Sequence, residues 1–450
     1  MERFLFKRIE VWIVLVLFVL GLLFLVLFGA AVRNETKGFN KFGAFGDAAL
    51  AVAEIPVTAQ DLIFPPLGLV AFGGQRFQGQ QGWEVSGDTS DLTGYLLLSR
   101  FDGTAQRHVV ELVDLTTLET RHQWWPSSEE LLDGARELDP KFMTAWGLKQ
   151  DRLRAIHPLL LEDGDLIVKD HQSPMMRINA CSRRVWMEDN DLFHHSTMMD
   201  DEGFIWVSTH LEPAQAERAI ASYNDNSITK MTVDGEILSS VSLTQALIDA
   251  GHRHRIFSTG GYIRDAIHIN DIEPVNADGP FWKKGDVFVS TRHISAITLF
   301  RPSTGEIIWH QEGPWSAQHD VDIVNETTIA VYNNNAFDWG RGGQVIGTNQ
   351  IIYYDFATDT FSEPFAEAFV REDIKTMSEG LFDLMPGGNV MVEEENFGRI
   401  LLLAADGSKK AQFVNGAEDG QVYRLGWSRY IPKEEGDAAM ASLAGISCPG

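Results

Sequence analysis

"HINDIEPV", residues 268–275, opens a unit of short apolar runs: "DVFVSTRH" (286–293), "AITLF" (296–300), the turn "RPSTGE" (301–306) and "IIWHQEG" (307–313). Each run is rich in Val, Ile, Thr or aromatics and is bounded by polar turn residues, which marks four β-strands. His268 and Asn270 stand two apart, so on one strand they share a face.

The same order recurs. "HPLLLEDGDLIVKDH" (157–171) leads to "MMRINACSRRVWME" (175–188), and "HSTMMDDEGFIWVSTH" (195–210) leads to "SITKMTVDGEILSSVSL" (227–243). "HDVDIVNETTIAVYNNN" (319–335) leads to "QIIYYDFATDTF" (350–361), and "EGLFDLMPGGNVMVEEENF" (379–397) leads to "RILLLAADGSKKAQFV" (399–414). A less complete copy joins "GYLLLSRFDG" (94–103) to "HVVELVDLTTLETRHQW" (108–124). The turns "ATDT", "ADGS" and "VDGE" match "STGE" in position. Repeats of four strands predict an all-β chain, a six-bladed β-propeller over residues 65–435, with a C-terminal tail over 436–450. A β-sandwich explains short strands but not their recurring order.

Non-repeating pieces read as helical insertions. Residues 127–155 begin with Ser127-x-x-Glu130, a capping box. "LTQALIDAG" (243–251) reads as a short helix ended by Gly251.

Residues 11–32, "VWIVLVLFVLGLLFLVLFGAAV", carry no charge. At about 1.5 Å per residue they span about 33 Å, enough for a bilayer core. A cleavable signal has a shorter apolar stretch, so an uncleaved transmembrane signal-anchor is expected, although "GAA" (29–31) keeps cleavage open. Basic residues flank both sides equally, and a stub of residues 1–10 is easier to retain in the cytoplasm than the rest of the chain. The expectation is a single-pass bacterial inner-membrane protein with its globular part in the periplasm, joined by a linker over 33–64.

The 450-residue chain carries a formal charge of −26. Nucleic acid is therefore not an expected partner, because phosphate binding needs a basic footprint. An anionic small molecule would need local Arg and His to overcome the global field. Whether Cys181 and Cys448 pair is left open by the sequence, as is the oligomeric state.

His157, His195, His268 and His319 each start a repeat's first strand, and Glu379 holds that place in the last repeat. First strands line a propeller's channel, so these residues converge although they are distant in sequence. His268, Asn270 and Arg292 are then expected to face His319 and His195 at the channel mouth. Imidazoles, a fixed amide and a permanent cation suit an anion whose charge moves during reaction. No metal or cofactor is required. Other features are weaker. "GHRHR" (251–255) reads as a solvated loop or as an anion contact at the rim. Trp124, Trp125 and Trp315 read either as a phenol-binding wall or as packing. "EEEN" (393–396) reads as a solvated strand end. Asp320, adjacent to His319 on a strand, points away from it.

"FHHSTMMDDEGFIWV" (193–207), "HINDIEPV" with "GDVFVSTRHISAI" (285–297), and "GEIIWHQEGPWSAQHDVDIV" (305–324) resemble the bacterial arylsulfotransferase family. The resemblance covers roughly 155–430. It implies a periplasmic six-bladed propeller that moves a sulfuryl group from an aryl sulfate to a phenolic acceptor through a sulfo-histidine, without a nucleotide donor. It places the nucleophile on His319, the His-x-Asn pair on His268 and Asn270, the arginine on Arg292, and an earlier channel histidine on His195, with His194 as the register alternative. His157, His194 and Glu379 are then expected to contact substrate. The family's separate N-terminal β-domain and nearby disulfide have no counterpart here. Two other readings stand beside this one: an anchored, non-catalytic propeller that binds sulfated or acidic glycans, and a His-ligated metal-dependent hydrolase or oxidase.

Overall fold

The computed structural model describes residues 10–36, 41–63, 75–136, 153–220, 223–340 and 342–448. The chain divides into two compact units, Met1–Pro66 and Leu67–Gly450. In the first, the helix Val11–Thr36 is long and apolar enough to cross a membrane. A second helix, Ala44–Ile63, occupies most of the stretch read as a linker and packs beside the first.

The larger unit is all-β and propeller-like. Its turns repay the repeat alignment. Gly305, Gly407 and Gly235 hold the third place of "STGE", "ADGS" and "VDGE" at φ 75°, 78° and 91°, and Asp359 takes the same place in "ATDT" at φ 53°. A left-handed residue there is what a tight strand connection demands.

The expected count of six separate blades is corrected. The strands form three four-stranded sheets, one five-stranded sheet, one seven-stranded sheet and a two-stranded hairpin. The cause is the 16-residue strand Arg184–Met199, which runs through two repeat units without a break. Its first half pairs with Ser173–Ile178 and its second half with Ile205–Leu211, so two units fuse into one sheet. The five-stranded sheet gains Gly82–Val85, which pairs outside Lys409–Val414. The C-terminal strand Arg429–Ile431 pairs with the start of Tyr95–Asp102, so the two ends of the unit close on each other.

The hydrophobic core lies between neighbouring sheets. One cluster joins Trp206 and Ile228 to Ile269 and Val289, the next joins Phe288 and Leu299 to Val331 and Ile352, and another joins Tyr332 to Val392 and Leu401. Leu96 and Leu98 pack with Ile400 and Leu402, and Leu97 and Leu112 pack with Leu160 and Met176, which closes the ring of contacts. Strands such as Val287–Thr291 are buried along their whole length because both faces are covered.

The inner strands are tied side by side through single hydrogen bonds. Ile272 N–H donates to Ser196 Oγ at 3.1 Å, Val321 N–H to Asp271 Oδ2 at 3.1 Å, Phe382 N–H to Asp320 Oδ2 at 3.0 Å and Tyr430 N–H to Asp383 Oδ2 at 2.8 Å. Asp320 thus points away from His319's site, as its place on the strand requires.

Among the insertions, the helix Ser128–Leu131 forms, but Glu130 reaches Arg183 rather than turning back to the cap. Residues 137–152 of that insertion lie outside the described residues. The second helix is capped by Ser242, whose Oγ accepts Gln245 N–H, and it ends at Gly251, which is left-handed at φ 95°; a separate helical turn, Arg253–Ile256, follows the kink. The stretch after 432 is the helix Lys433–Leu443, with Ala439 and Leu443 buried in the core. Cys181 and Cys448 form a disulfide that fastens this terminus.

Candidate active site

Each inner strand is entered through a residue in the left-handed region: His157 (φ 47°), His195 (57°), His268 (54°), Ala317 (54°), Glu379 (55°) and Trp427 (59°). Such a conformation costs a non-glycine residue on the order of 1 kcal/mol and clusters at functional sites. This also corrects the repeat register. Ala317, not His319, shares the position of His195 and His268, and His319 stands two residues further into its strand.

The turn directs several of these side chains into one pocket of about 410 Å³. Of the residues expected from sequence, His194, His195, His268, Arg292, His319 and Glu379 line it. Asn270 and His157 do not. The pairing register shifts between Ile269 and Asp271, which breaks the alternation that placed Asn270 beside His268. Asn270 is fully buried and its Nδ2 donates to Gln318 O at 2.8 Å, so it ties two neighbouring strands. His157 Nδ1 accepts Thr197 N–H at 3.2 Å, and its ring meets Trp427 edge-on at 5.6 Å.

His319 is 1% exposed. Its Nδ1 faces two carbonyl oxygens, Asn334 Oδ1 at 2.6 Å and Ala317 O at 3.0 Å, so Nδ1 carries the proton. Its Nε2 then accepts Glu379 N–H at 2.9 Å. Burial, with the Arg292 charge adding to it, holds the imidazole well below its ordinary pKa and therefore neutral.

His268 has a different environment. Its Nδ1 lies 2.5 Å from Asp265 Oδ2, and its side chain is 24% exposed. Burial works to raise the Asp265 pKa, but His268 outweighs it and holds the carboxyl well below the usual range. A carboxylate on Nδ1 fixes the orientation of the ring, the arrangement of an acid–base histidine. His195 stands beside it at 4.7 Å between ring centroids and shares an Nδ1–Nδ1 hydrogen bond of 2.8 Å with His194. His194 Nε2 in turn lies 3.0 Å from Ser208 Oγ. Burial keeps both rings well below their ordinary pKa.

Arg292 supplies a cation. Its Nε is buried without a hydrogen-bond partner, Nη1 lies 3.1 Å from His293 Nε2, and Glu379 and Asp265 act on it only through space. A guanidinium in this state is prepared for an anion. Arg154 and Arg424 also line the pocket but stand against acidic side chains: Arg154 pairs with Glu379 at 3.5 Å, and Arg424 lies 3.5 Å from Glu395, whose pKa burial raises well above the usual carboxylate range. Burial alone would raise the Glu379 pKa, but Arg154, His171 and Arg424 outweigh it and hold the carboxyl well below the carboxylate range. Glu379 therefore stands ionised among these cations at the pocket wall.

Sequence reasoning missed Asp265, His171, His210 and the two additional arginines. Asp265 leaves a signal, the Asp-x-x-His spacing to His268. His171 and His210 each close a quoted repeat run, "IVKDH" and "WVSTH", so the repeat order carried a signal for them; Arg154 and Arg424 lie outside the quoted repeats. The aromatic at the site is Trp427, which meets His157, His195 and His319 at 5.6–6.1 Å between ring centroids. Trp124 and Trp315 are buried in the core away from it. "EEEN" is not a solvated strand end. Glu393, Glu394 and Glu395 are fully buried because backbone amides at 427–428 and the guanidinium groups of Arg399, Arg76, Arg154 and Arg424 receive them.

The fold and pocket define a propeller-like protein with a histidine- and arginine-lined pocket. The family model for arylsulfotransferase (ASST) matches residues 157–416, more than half of the chain, and the chain belongs to that family. No curated protein matches it. Among solved structures, a Bacteroides caccae protein of unknown function is 12% identical over 74% of this chain and 98% of its own, with a TM-score of 0.45. Kuenenia stuttgartiensis hydrazine synthase is 11% identical over 71% and 79%, with a TM-score of 0.38. The WD40 β-propeller domain of Doa1 is 9% identical over 79% and 92%, also at 0.38.

Proposed function

We propose that this chain moves a sulfuryl group from an aryl sulfate to a phenolic or related hydroxyl acceptor, through a sulfo-histidine and without a nucleotide donor. The observation that carries the reading is Arg292: a guanidinium without a carboxylate partner, in one pocket with His268 and His319, inside the stretch matched by the family model.

In the proposed sequence the His319 nitrogen attacks sulfur and the aryl O–S bond breaks. Protonated His268 gives its proton to the leaving phenolate. The acceptor oxygen then attacks sulfur, the N–S bond breaks, and His268 takes the acceptor's proton, which restores the enzyme. Arg292 holds the sulfuryl oxygens, where charge gathers in a loose, in-line transfer. A neutral His319 suits attack. Its Nε2 is capped by the Glu379 amide in the resting conformation, so attack requires that amide to withdraw. The peptide that must move is Ser378–Glu379, and Glu379, in the left-handed region at φ 55°, borders it.

The apolar helix is read as an inner-membrane anchor with the larger unit in the periplasm. The Cys181–Cys448 bridge supports an oxidising compartment.

A second reading, metal chemistry, is favoured by one observation: ligand atoms of Asp265, His268 and His293 lie within 4.8 Å of one another. Arg292 on His293 opposes it, since a cation beside a metal is unfavourable without an anion.

The test incubates purified full-length protein with a nitrophenyl sulfate and phenol. Acceptor-dependent nitrophenolate release, with phenyl sulfate formed in equal amount, supports transfer. Release that is independent of acceptor and abolished by a chelator supports the metal reading. No release with any donor supports a binding module.

A further inference from the structure

The "GHRHR" segment does not reach the pocket; it folds against an edge strand. His252 ends the helical turn Ile248–His252, and His310 and Glu312 lie on Glu306–Glu312, the outermost strand of its sheet. The rings of His252 and His310 stand 4.2 Å apart between centroids. One ligand atom from each of His252, His310 and Glu312 lies within 4.8 Å of the others.

His310 is the informative residue. Its side chain is 7% exposed. Its Nδ1 lies 2.9 Å from Thr298 Oγ1, and its Nε2 is buried with no hydrogen-bond partner, 3.7 Å from Glu312 Oε1. The other Glu312 oxygen is held by Arg255, which keeps Oε1 turned toward the imidazole. A buried ring nitrogen without a hydrogen-bond partner, beside a carboxylate and a second imidazole, leaves a place for a cation among them.

We propose that His252, His310 and Glu312 hold a divalent transition-metal ion of the zinc class. Two imidazoles and one carboxylate are zinc ligands, and three of them leave an open fourth position. Thr298 on Nδ1 and Arg255 on the far oxygen are the outer partners that orient such ligands. The ion fastens the helical insertion to the sheet edge. That insertion runs into the loop carrying Asp265, so the metal steadies the approach to the pocket without entering it. This inference does not depend on the sulfuryl-transfer reading.

The test uses the full chain in detergent, stripped with chelator and titrated with zinc chloride. Metal content is measured after gel filtration, and cobalt(II) serves as a spectroscopic probe. Wild type is expected to retain one zinc at this site. His310→Ala and the half-buried His252→Ala should each lose it, and Glu312→Gln should weaken binding at least about tenfold. His252→Ala leaves the sheet untouched, so its loss of metal is not a folding defect. His293→Ala, in the pocket, should keep this zinc. An ion-paired His310–Glu312 without metal predicts no uptake by wild type, and that result overturns the proposal. Uptake that survives both His252→Ala and His310→Ala, or that disappears in His293→Ala alone, overturns it as well.

Discussion

The Nε2 of His319 accepts the backbone N–H of Glu379 at 2.9 Å, while Nδ1 donates to Asn334 Oδ1 at 2.6 Å. Both ring nitrogens are occupied, so the residue that the family resemblance makes the nucleophile is masked in this conformation. His268, by contrast, presents an oriented Nε2.

Donor without acceptor separates the two. A sulfuryl group is expected on the peptide carrying "SAQHDVDI", detected by mass spectrometry, with ping-pong kinetics in the full reaction. His319→Ala should lose both label and transfer. A label on the peptide carrying "HINDI" instead would assign the attack to His268 and leave His319 as a strand-fastening residue.

Asp265 is placed to orient His268. Asp265→Asn keeps the shape but removes the charge on Nδ1. Turnover is expected to fall about 100-fold with a phenyl sulfate donor and much less with a nitrophenyl donor, whose leaving group needs no proton. Equal losses with both donors would show that Asp265 maintains the pocket rather than serving proton transfer.

The sequence carried the repeat order and the convergence of distant histidines, because strand patterning and turn residues are local properties. It misled where the strand path is irregular. Asn270 was placed by strict alternation, and the register shift at the start of its strand removed it from the pocket. The repeat order divides the units between residues 188 and 195, yet the strand Arg184–Met199 continues unbroken through that point. Charges held by tertiary partners were invisible. Glu393–Glu395 look solvated until Arg76, Arg154, Arg399 and Arg424 arrive from distant segments.

Arg292 tests the anion site. Arg292→Lys keeps a positive charge but loses the planar fork. Turnover is expected to fall at least about tenfold, the equivalent of about 1.4 kcal/mol, within the range of one charge-assisted hydrogen bond. The loss should appear in kcat as well as KM, since the oxygens gain charge in transit. An unchanged kcat would mean that Arg292 only gathers donor.

Asp383 tests the inner ring. Burial raises its pKa to about 6, against the opposing effects of Tyr430 N–H and Arg429. Asp271, Glu273, Asp320 and Asp322 crowd the same inner region and are raised too, with burial the leading cause. A folded-state pKa above the unfolded value means that the native protein binds the extra proton between about pH 4 and pH 6. Stability from this group is therefore present at low pH and lost as pH rises through that window, by at most about 3 kcal/mol for a shift of about two units. Asp383→Asn retains an oxygen to accept Tyr430 N–H and removes the charge. The variant is expected to melt a few degrees above wild type at pH 7.5 and to match it near pH 4, read from thermal unfolding across pH 4–8. A variant that melts lower than wild type at pH 7.5 would mean that the Asp383 carboxylate is needed as the counter-charge of Arg429 and that the crowded acids do not strain the ring.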